Sequence, residues 1–154
     1  METEAYLGLE DPACHSFSGK ITPRTSTLYL PAGHTYVYLV YGMHHCLNVV
    51  CGDTTQPEAV LIRGVLFSPH LNPISDLENR FVEGAGLGPG KLCRALNIDR
   101  SHNRINLQIS EELFIEEPTL SQSPQLKYET TPRIGIDYAG DAAHWPLRFV
   151  KKLI

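Results

Sequence analysis

A cluster of tyrosines is the first group of residues in this sequence that could carry chemistry. Tyr29, Tyr36, Tyr38 and Tyr41 lie within thirteen positions of one another. In a strand, Tyr36 and Tyr38 project from the same face, because side chains alternate with a period of two. Tyrosine is a good strand former, so the cluster can simply pack on a half-buried sheet. It can also stack nucleic-acid bases, with one ring at a hairpin tip wedged into a base step.

An acid and an arginine form the second candidate group. The alternation in residues 2–6 would place Glu2, Glu4 and Tyr6 on one side of a strand. A carboxylate on an aromatic-lined face can act as a general base, although most glutamates near a terminus are solvated surface charges. Arg63 interrupts an apolar run, where a guanidinium needs a carboxylate or phosphate partner unless its head reaches water.

Cysteines and histidines suggest a zinc site as an alternative. The residues concerned are Cys14, His15, His44, His45, Cys46 and Cys51. Their spacing contains neither C-x₂-C nor H-x₃₋₅-H, and adjacent residues on a strand point to opposite faces, so we expect no metal. Hydrolase and P-loop signatures are also missing. The glycine-rich residues 84–90, followed by Lys91, could still bind a phosphate at a helix start.

The elements that must position these residues are mostly strands. The patterns predict strands at residues 27–30, 35–40, 46–51, 59–65, 106–109, 113–116, 133–136 and 147–150. Residues 41–44 would join two of them as a β-hairpin within an antiparallel meander. Helices are predicted over residues 74–82, with Ser75 as N-cap, and 91–96, with Pro89 near the start; a polar loop follows at 117–124. These elements predict an α+β fold.

Length and composition limit the function classes. The chain has 154 residues, 42% hydrophobic, which suits one domain with its own core. No apolar run reaches the roughly 18–20 residues of a membrane span, and the start Met-Glu-Thr-Glu is unlike a signal peptide. The net charge of −4 at first disfavours a nucleic-acid partner. The charge is uneven, however: residues 1–77 carry all of it, and residues 78–154 sum to zero.

Nine segments, in order along almost the whole chain, resemble the alkyladenine (3-methyladenine) DNA glycosylases, which remove alkylated purines. They are residues 2–8 (ETEAYLG), 11–16, 22–24, 36–43 (YVYLVYGM), 47–48, 59–63, 88–93, 132–136 (PRIGI) and 145–149. The resemblance implies a single glycosylase domain over residues 1–154, mainly an antiparallel curved β-sheet with a protruding β-hairpin and short helices. Relative to the family, we expect this domain to be shortened at both its N-terminal and C-terminal ends.

The resemblance also implies a reaction. Glu4 matches the general base that activates a water to attack C1′ of a flipped nucleotide. Arg63 matches the arginine that helps to hold Glu4 and the water. The backbone carbonyl of Ile134 matches the group that also accepts a hydrogen bond from that water. A cationic alkylated base leaves without prior protonation, so one carboxylate can suffice. No lysine stands among these residues to form a Schiff base, so we expect a monofunctional hydrolase that leaves an abasic site.

The remaining matches concern base and DNA binding. Tyr6, His15 and Tyr38 match residues that hold the flipped base, and Asn48 matches a side chain that excludes guanine by clashing with its 2-amino group. Tyr41 matches the intercalating residue. Three basic residues match contacts with the DNA backbone: Lys20, Arg24 and Lys91. The implied partner is double-stranded DNA containing damaged purines, bound by a monomer without cofactor, metal or membrane. We expect it in the cytoplasm with the nucleoid if the source is prokaryotic, and in the nucleus otherwise. The alternative is a catalytically weak or inactive module that binds damaged DNA.

Overall fold

The fold is known from a computed structural model that describes residues 1–65, 88–116 and 127–151. Its strands are β1 (Glu2–Tyr6), β2 (Thr35–Val40), β3 (His44–Val50), β4 (Ala59–Gly64), β5 (Glu129–Thr131) and β6 (Arg148–Val150), and its helix α1 is Pro89–Ala95. Short segments of 3-10 helix lie at Gly8–Glu10, Phe17–Gly19, Thr25–Tyr29, Arg100–His102 and Asp137–His144, the last interrupted at Gly140. The predicted α+β class, in a single small domain, is confirmed.

The strands form one antiparallel sheet in the order β2-β3-β4-β1-β6-β5. The predicted meander β2–β3–β4 is confirmed. The N-terminal strand β1 lies inside the sheet, because β4 pairs with one of its edges and β6 with the other. Glu4 thereby faces Leu61 of β4 and Arg148 of β6 across the ladder. Pairing on both edges fixes the strand that carries the predicted general base.

The hairpin β2–β3 ends in a turn with two residues of positive φ. Tyr41 has φ 50° and Gly42 has φ 71°, so both central residues of the turn that the Met43 N–H closes onto the Val40 carbonyl are left-handed. Glycine adopts this conformation freely, but a bulky residue does so rarely, and such residues concentrate at functional sites. The turn leaves the Tyr41 side chain 91% exposed at the tip.

The two faces of the hairpin have different neighbours. Val37 and Leu47 pack against Leu92 of α1 in one core cluster. Tyr36 and Tyr38 alternate with Val37 and therefore lie on the opposite face, where Tyr36 belongs to a second cluster. Helix α1 begins at Pro89, which suits a first helical position because proline has no N–H to leave unpaired. Packing on α1 thus leaves the tyrosine face free to line a site.

Four predicted strands are wrong, and in three of them polar side chains hold the backbone in turns. Residues 27–30 end a 3-10 turn, which starts where Thr25 bonds the backbone of Thr22 and Lys20. In residues 106–109, the side-chain oxygen of Asn106 accepts from the N–H of Gln108. Before residues 113–116, the hydroxyl of Ser110 accepts from the N–H groups of Glu112 and Leu113. Side-chain oxygens compete with ladder hydrogen bonds in this way.

The fourth wrong strand, residues 133–136, is a loop of the site. Its Ile134 N–H donates to a side chain instead of a neighbouring strand, and Gly135 has φ 76°. The predicted helix 74–82, residues 84–87 of the glycine-rich stretch and the loop 117–124 lie outside the described residues. None of the helices in the described part of the chain has the length and apolarity needed to cross a membrane.

Candidate active site

A cavity of about 430 Å³ opens between β1, the hairpin, β4 and the loop after β5. This is within the usual size range of small-molecule pockets. Eight of the eleven residues singled out in the sequence line it: Tyr6, His15, Arg24, Tyr38, Tyr41, Asn48, Arg63 and Ile134. Glu4 lies directly behind this lining, bonded to two of its members. Residues from five separate segments of the chain therefore converge on one pocket.

Glu4 is fully buried, is held by two hydrogen-bond donors and lies near the cation of Arg63. Its Oε1 accepts from the Ile134 N–H at 2.8 Å, and its Oε2 accepts from the Tyr6 hydroxyl at 3.0 Å. The Nε of Arg63 lies 3.5 Å from Oε1. A carboxylate offers about four lone-pair directions, so these contacts fix its orientation and leave capacity for a further donor. The arrangement suits a group that must accept a proton from a bound water.

Arg63 is nearer to Glu2 than to Glu4. Its Nε donates to Glu2 Oε1 at 2.6 Å, and the Nε of Arg148 donates to the same oxygen at 2.7 Å. Burial acts to raise the pKa of Glu2, but the hydrogen bonds from Arg148 and Arg63 outweigh it and lower that pKa below 4.5. Glu2 and Arg148 were not predicted as site residues. The alternation of residues 2–6 did place Glu2 beside Glu4, whereas nothing local signals Arg148.

One side of the cavity is an aromatic wall formed by His15, Tyr36 and Tyr38. The rings of Tyr36 and Tyr38 are 5.2 Å apart, and His15 meets Tyr38 edge-on at 4.7 Å. His15 Nδ1 is hydrogen-bonded to the Tyr36 hydroxyl at 2.9 Å. Burial and the nearby charge of Arg24 lower the pKa of His15 to about 4, so the ring is neutral near pH 7. Burial also raises the pKa of Tyr38, which keeps its phenol protonated.

Arg24 lies against this aromatic wall, although we expected it at the DNA backbone. Its Cζ is 4.6 Å from the centre of the Tyr38 ring, and its Nη2 donates to His15 Nε2 at 3.1 Å. Its Nε also donates to the Tyr36 hydroxyl at 3.3 Å. A planar cation therefore occupies part of the surface on which a base would stack.

The other predicted DNA-binding residues occupy different surroundings. Asn48 is buried, and its amide Nδ2 donates to the carbonyl of Tyr36 at 3.0 Å, so its orientation is fixed at the cavity wall. Lys20 and Lys91 are exposed and do not line the cavity. Their contact with a DNA backbone stays a prediction.

A buried ion pair holds the loop that supplies the Ile134 N–H. Arg133 Nη2 donates to Asp11 Oδ1 at 2.9 Å, its Nη1 donates to Asp11 Oδ2, and both side chains are fully buried. Arg133 also donates to the carbonyl of Ala5 and lies 4.8 Å from the ring centre of Tyr6. The pair connects the N-terminal motif with the C-terminal loop, and no spacing rule in the sequence points to it.

Within residues 1–65, 88–116 and 127–151, no group of three or more His, Cys, Asp or Glu is arranged to hold a metal ion. Cys14, Cys46, Cys51 and Cys93 are all free thiols. Burial, with the nearby Cys46, raises the pKa of Cys93 to about 12, so this thiol is protonated near pH 7. The described part of the chain therefore gives the zinc alternative no support.

Comparison with known proteins connects this pocket to a family. The sequence profile of methylpurine-DNA glycosylase (MPG) matches residues 1–153. Proteins provisionally named 3-methyladenine DNA glycosylase are similar to the chain: one from Bdellovibrio bacteriovorus at 46% identity over 97% of the chain and 75% of its own length. The protein from Desulfitobacterium hafniense is 42% identical over 97% of the chain and 76% of its own length. The protein from Borreliella burgdorferi is 44% identical over 92% of the chain and 71% of its own length. Agreement of this extent makes the chain a member of the methylpurine-DNA glycosylase family.

Proposed function

We propose that this protein is a monofunctional DNA glycosylase. It flips alkylated or deaminated purines out of duplex DNA and hydrolyses the N-glycosidic bond, leaving an abasic site. The observation that carries the proposal is the placement of Glu4, a buried, oriented carboxylate directly behind the lining of a cavity walled by aromatic rings. The bond between base and sugar is not accessible to an enzyme while the base is stacked in duplex DNA, so an enzyme of this kind must extrude the nucleotide.

The chemistry needs one activated water. Glu4 takes a proton from the water, whose oxygen bonds to C1′ as the bond from C1′ to the purine nitrogen breaks. The electron pair of that bond stays on the purine. An alkylated purine that carries a positive charge is thereby neutralised and leaves without an acid. In this proposal Arg63 helps to hold Glu4 and the water, and the backbone carbonyl of Ile134 accepts a hydrogen bond from the water.

The flipped purine would stack on the aromatic wall. Stacking on an aromatic side chain returns about 1–3 kcal/mol per base, enough to offset much of the cost of unstacking. Electron-poor alkylated purines gain further from the negative face of a tyrosine ring. Asn48, fixed by its bond to the Tyr36 carbonyl, would meet the 2-amino group of guanine and disfavour that base. The guanidinium of Arg24 would have to leave the Tyr38 ring before a base stacks there.

Incubation with duplex DNA carrying one damaged purine tests the proposal. Substrates containing 3-methyladenine, 7-methylguanine, hypoxanthine or ethenoadenine are incubated with the protein and then treated with alkali. We expect alkali-dependent breaks at the damaged position, and no breaks without alkali because the enzyme has no lyase step. Tight binding with no breaks at high protein concentration would overturn the enzyme and favour the binding module.

Tyr41 is expected to fill the space left by the flipped nucleotide. Tyr41→Ala removes the exposed ring at the hairpin tip, so the cost of opening the base stack, a few kcal/mol, is no longer offset. We expect excision from duplex DNA to fall by about tenfold or more, since 1.4 kcal/mol corresponds to tenfold. Excision from a single strand, which has no gap to fill, should change much less.

A matched truncation separates this role from surface hydrophobicity in general. Ile109 is 80% exposed and is not among the residues that line the cavity. Single-turnover rates of Ile109→Ala should equal those of the wild type on both substrates. Equal losses on duplex and single-stranded DNA for Tyr41→Ala would contradict the wedge.

Arg24 is expected to bind a phosphate once a base has displaced it from Tyr38. Arg24→Ala should weaken binding to duplex DNA and reduce the slope of log K against log salt by about one, as expected for one lost phosphate contact. Arg24→Lys keeps the charge and should restore the slope. Fluorescence anisotropy over a salt series measures both, and an unchanged slope in Arg24→Ala would refute the phosphate contact.

A further inference from the structure

We propose that Glu2 is a positioning residue that holds Arg63 away from Glu4 and so keeps Glu4 free to act as a base. The inference rests on the proposed function, because it concerns the group that activates the water. Glu2 does not line the cavity; it is the first residue of β1 and lies two residues before Glu4.

The geometry shows two carboxylates near one donor. Arg63 Nε is 2.6 Å from Glu2 Oε1 and 3.5 Å from Glu4 Oε1. Only the shorter contact is a hydrogen bond, and it is as short as a charge-assisted one. Glu2 therefore accepts the hydrogen bond from Arg63 Nε, whereas Glu4 interacts with the guanidinium only through its charge.

The order of the strands places the arginines of both neighbouring strands at Glu2, so that Glu2 competes with Glu4 for Arg63. Strand β1 lies between β4, which carries Arg63, and β6, which carries Arg148, and Glu2 Oε1 accepts from both arginines. Arg148 is anchored in turn by a 3.0 Å bond from its Nη1 to Thr131 Oγ1 of β5. The side chains of Glu2 and Arg63 are only 11% and 12% exposed, so solvent screens this pair little. The contact is consequently a fixed part of the site.

The charges explain why the competition matters. The hydrogen-bond donors to Glu4, the Ile134 N–H and the Tyr6 hydroxyl, are neutral. Such donors orient a carboxylate without the full stabilisation that an ion pair gives to its charged form. If Glu2 loses its charge, Glu4, at 3.5 Å, is the remaining carboxylate beside Arg63 Nε among the described residues. A direct hydrogen-bonded ion pair would make Glu4 a weaker base and tie up an oxygen that the water needs.

In the described part of the chain, the other titratable groups around the two acids do not change charge between pH 5 and 8. Glu2 faces Arg63 from β4, Arg148 from β6 and Glu4 on its own strand. Glu4 also feels Tyr6, Cys46 of β3 and Arg133 of the C-terminal loop. Burial raises the pKa of both Tyr6 and Cys46, so both stay neutral. His15 in the same cavity has a pKa of about 4 and is common to every variant compared.

The test is the pH profile of single-turnover excision by the full chain. Glu2→Gln keeps the shape of the side chain and removes its charge. We expect the plateau rate to fall by about tenfold and the acidic limb to move to lower pH by about one unit, the shift that an opposite charge at hydrogen-bonding distance can cause. Affinity for duplex DNA with a stable abasic analogue should stay within about twofold, because neither acid lines the cavity.

Two further variants separate positioning from a merely structural role. Glu2→Asp restores the charge and should return the acidic limb toward its wild-type position. Arg148→Met takes one arginine from Glu2 but leaves the pair with Arg63, so its acidic limb should not move. If Glu2→Gln does not fold, Glu2→Asp is compared directly with the wild type and should show a smaller shift in the same direction.

The outcomes are distinct. Excision by the wild type with an unmoved acidic limb in the Glu2 variants overturns the inference and leaves the proposed function intact. A fall in the plateau alone, matched in Arg148→Met and accompanied by a lower melting temperature, shows a structural role and also overturns it. No excision by the wild type on any damaged purine overturns the proposed function, and this inference with it.

Discussion

Glu4→Gln is expected to lose nearly all excision of damaged purines while keeping its fold and its affinity for DNA. A positioned general base contributes about 10²–10⁴-fold to a rate, and an amide cannot take the proton from the water, so the single-turnover rate should fall by that factor. The shape of the side chain is unchanged. Its remaining oxygen can still accept from the Ile134 N–H, and the Tyr6 hydroxyl can rotate to accept from the new amide.

The matched control is the same substitution away from the pocket. Glu10→Gln changes an exposed acid of the same chain segment and should leave the rate unaltered. Melting temperature and binding to a duplex with an abasic analogue are measured for both variants. A Glu4→Gln rate within tenfold of the wild type, in a folded protein, would show that another group activates the water.

The hairpin and the meander could be predicted because their signals are local. Strands β2 and β3 are rich in aromatic and β-branched residues and are separated by a short turn with Gly42. Such a pattern specifies both the pairing and the face of each side chain. The prediction that Tyr36 and Tyr38 share a face is confirmed by the 5.2 Å between their rings.

The surroundings of Glu4 could not be predicted, because they come from distant parts of the chain. The two neighbours of β1 are supplied from about 60 and about 146 residues away, as the bonds of Glu2 to Arg63 and Arg148 show. Sequence reasoning assigned Arg63 to Glu4, but it had no means of ranking Glu2 against Glu4 as its partner. The 0.9 Å difference between the two contacts depends on register and rotamers that only tertiary packing sets.

Arg24 shows a limit of a different kind. A resemblance transfers the role of a residue in a complex, whereas the structure places the same side chain without DNA. In the free protein its guanidinium contacts the ring of Tyr38 and the imidazole of His15. The same long side chain can also reach a DNA phosphate, because an exposed arginine can change partners at low cost. The net charge of −4 was equally uninformative, because a sum does not show which acids and bases are paired inside the protein, as Asp11 is with Arg133 and Glu2 is with Arg63.

Asp11→Asn is expected to have the largest effect on stability, with a loss of about 3–5 kcal/mol in the free energy of unfolding, as for other broken buried ion pairs. Both carboxylate oxygens are in use: Oδ1 accepts from Arg133 Nη2 and the Ala13 N–H, and Oδ2 accepts from Arg133 Nη1 and the Leu7 N–H. An amide offers one acceptor and turns a donor toward a guanidinium, so Arg133 is left as an uncompensated buried charge. Urea denaturation at pH 7 measures the loss.

Asp53→Asn is the control, because Asp53 also accepts from backbone N–H groups, those of Thr55 and Gln56, but is exposed and has no arginine partner in the described structure. It should unfold close to the wild-type urea concentration, and an equal loss in both variants would show that turn capping, not the ion pair, is what matters.

The same ion pair predicts a dependence of stability on pH and a link to catalysis. Burial acts to raise the pKa of Asp11, but the hydrogen bonds from Arg133, Leu7 and Ala13 lower it below its usual 3.8. The folded carboxyl thus releases its proton more readily than the unfolded one, so its contribution is complete well above the unfolded pKa of 3.8 and is lost as the pH falls through the folded pKa. The Asn variant should lack this acid-sensitive component.

Because Arg133 also packs on Tyr6 and precedes Ile134, Asp11→Asn should lose excision activity at temperatures where the fold persists. Full activity in the folded variant would show that the Ile134 N–H stays on Glu4 without the ion pair.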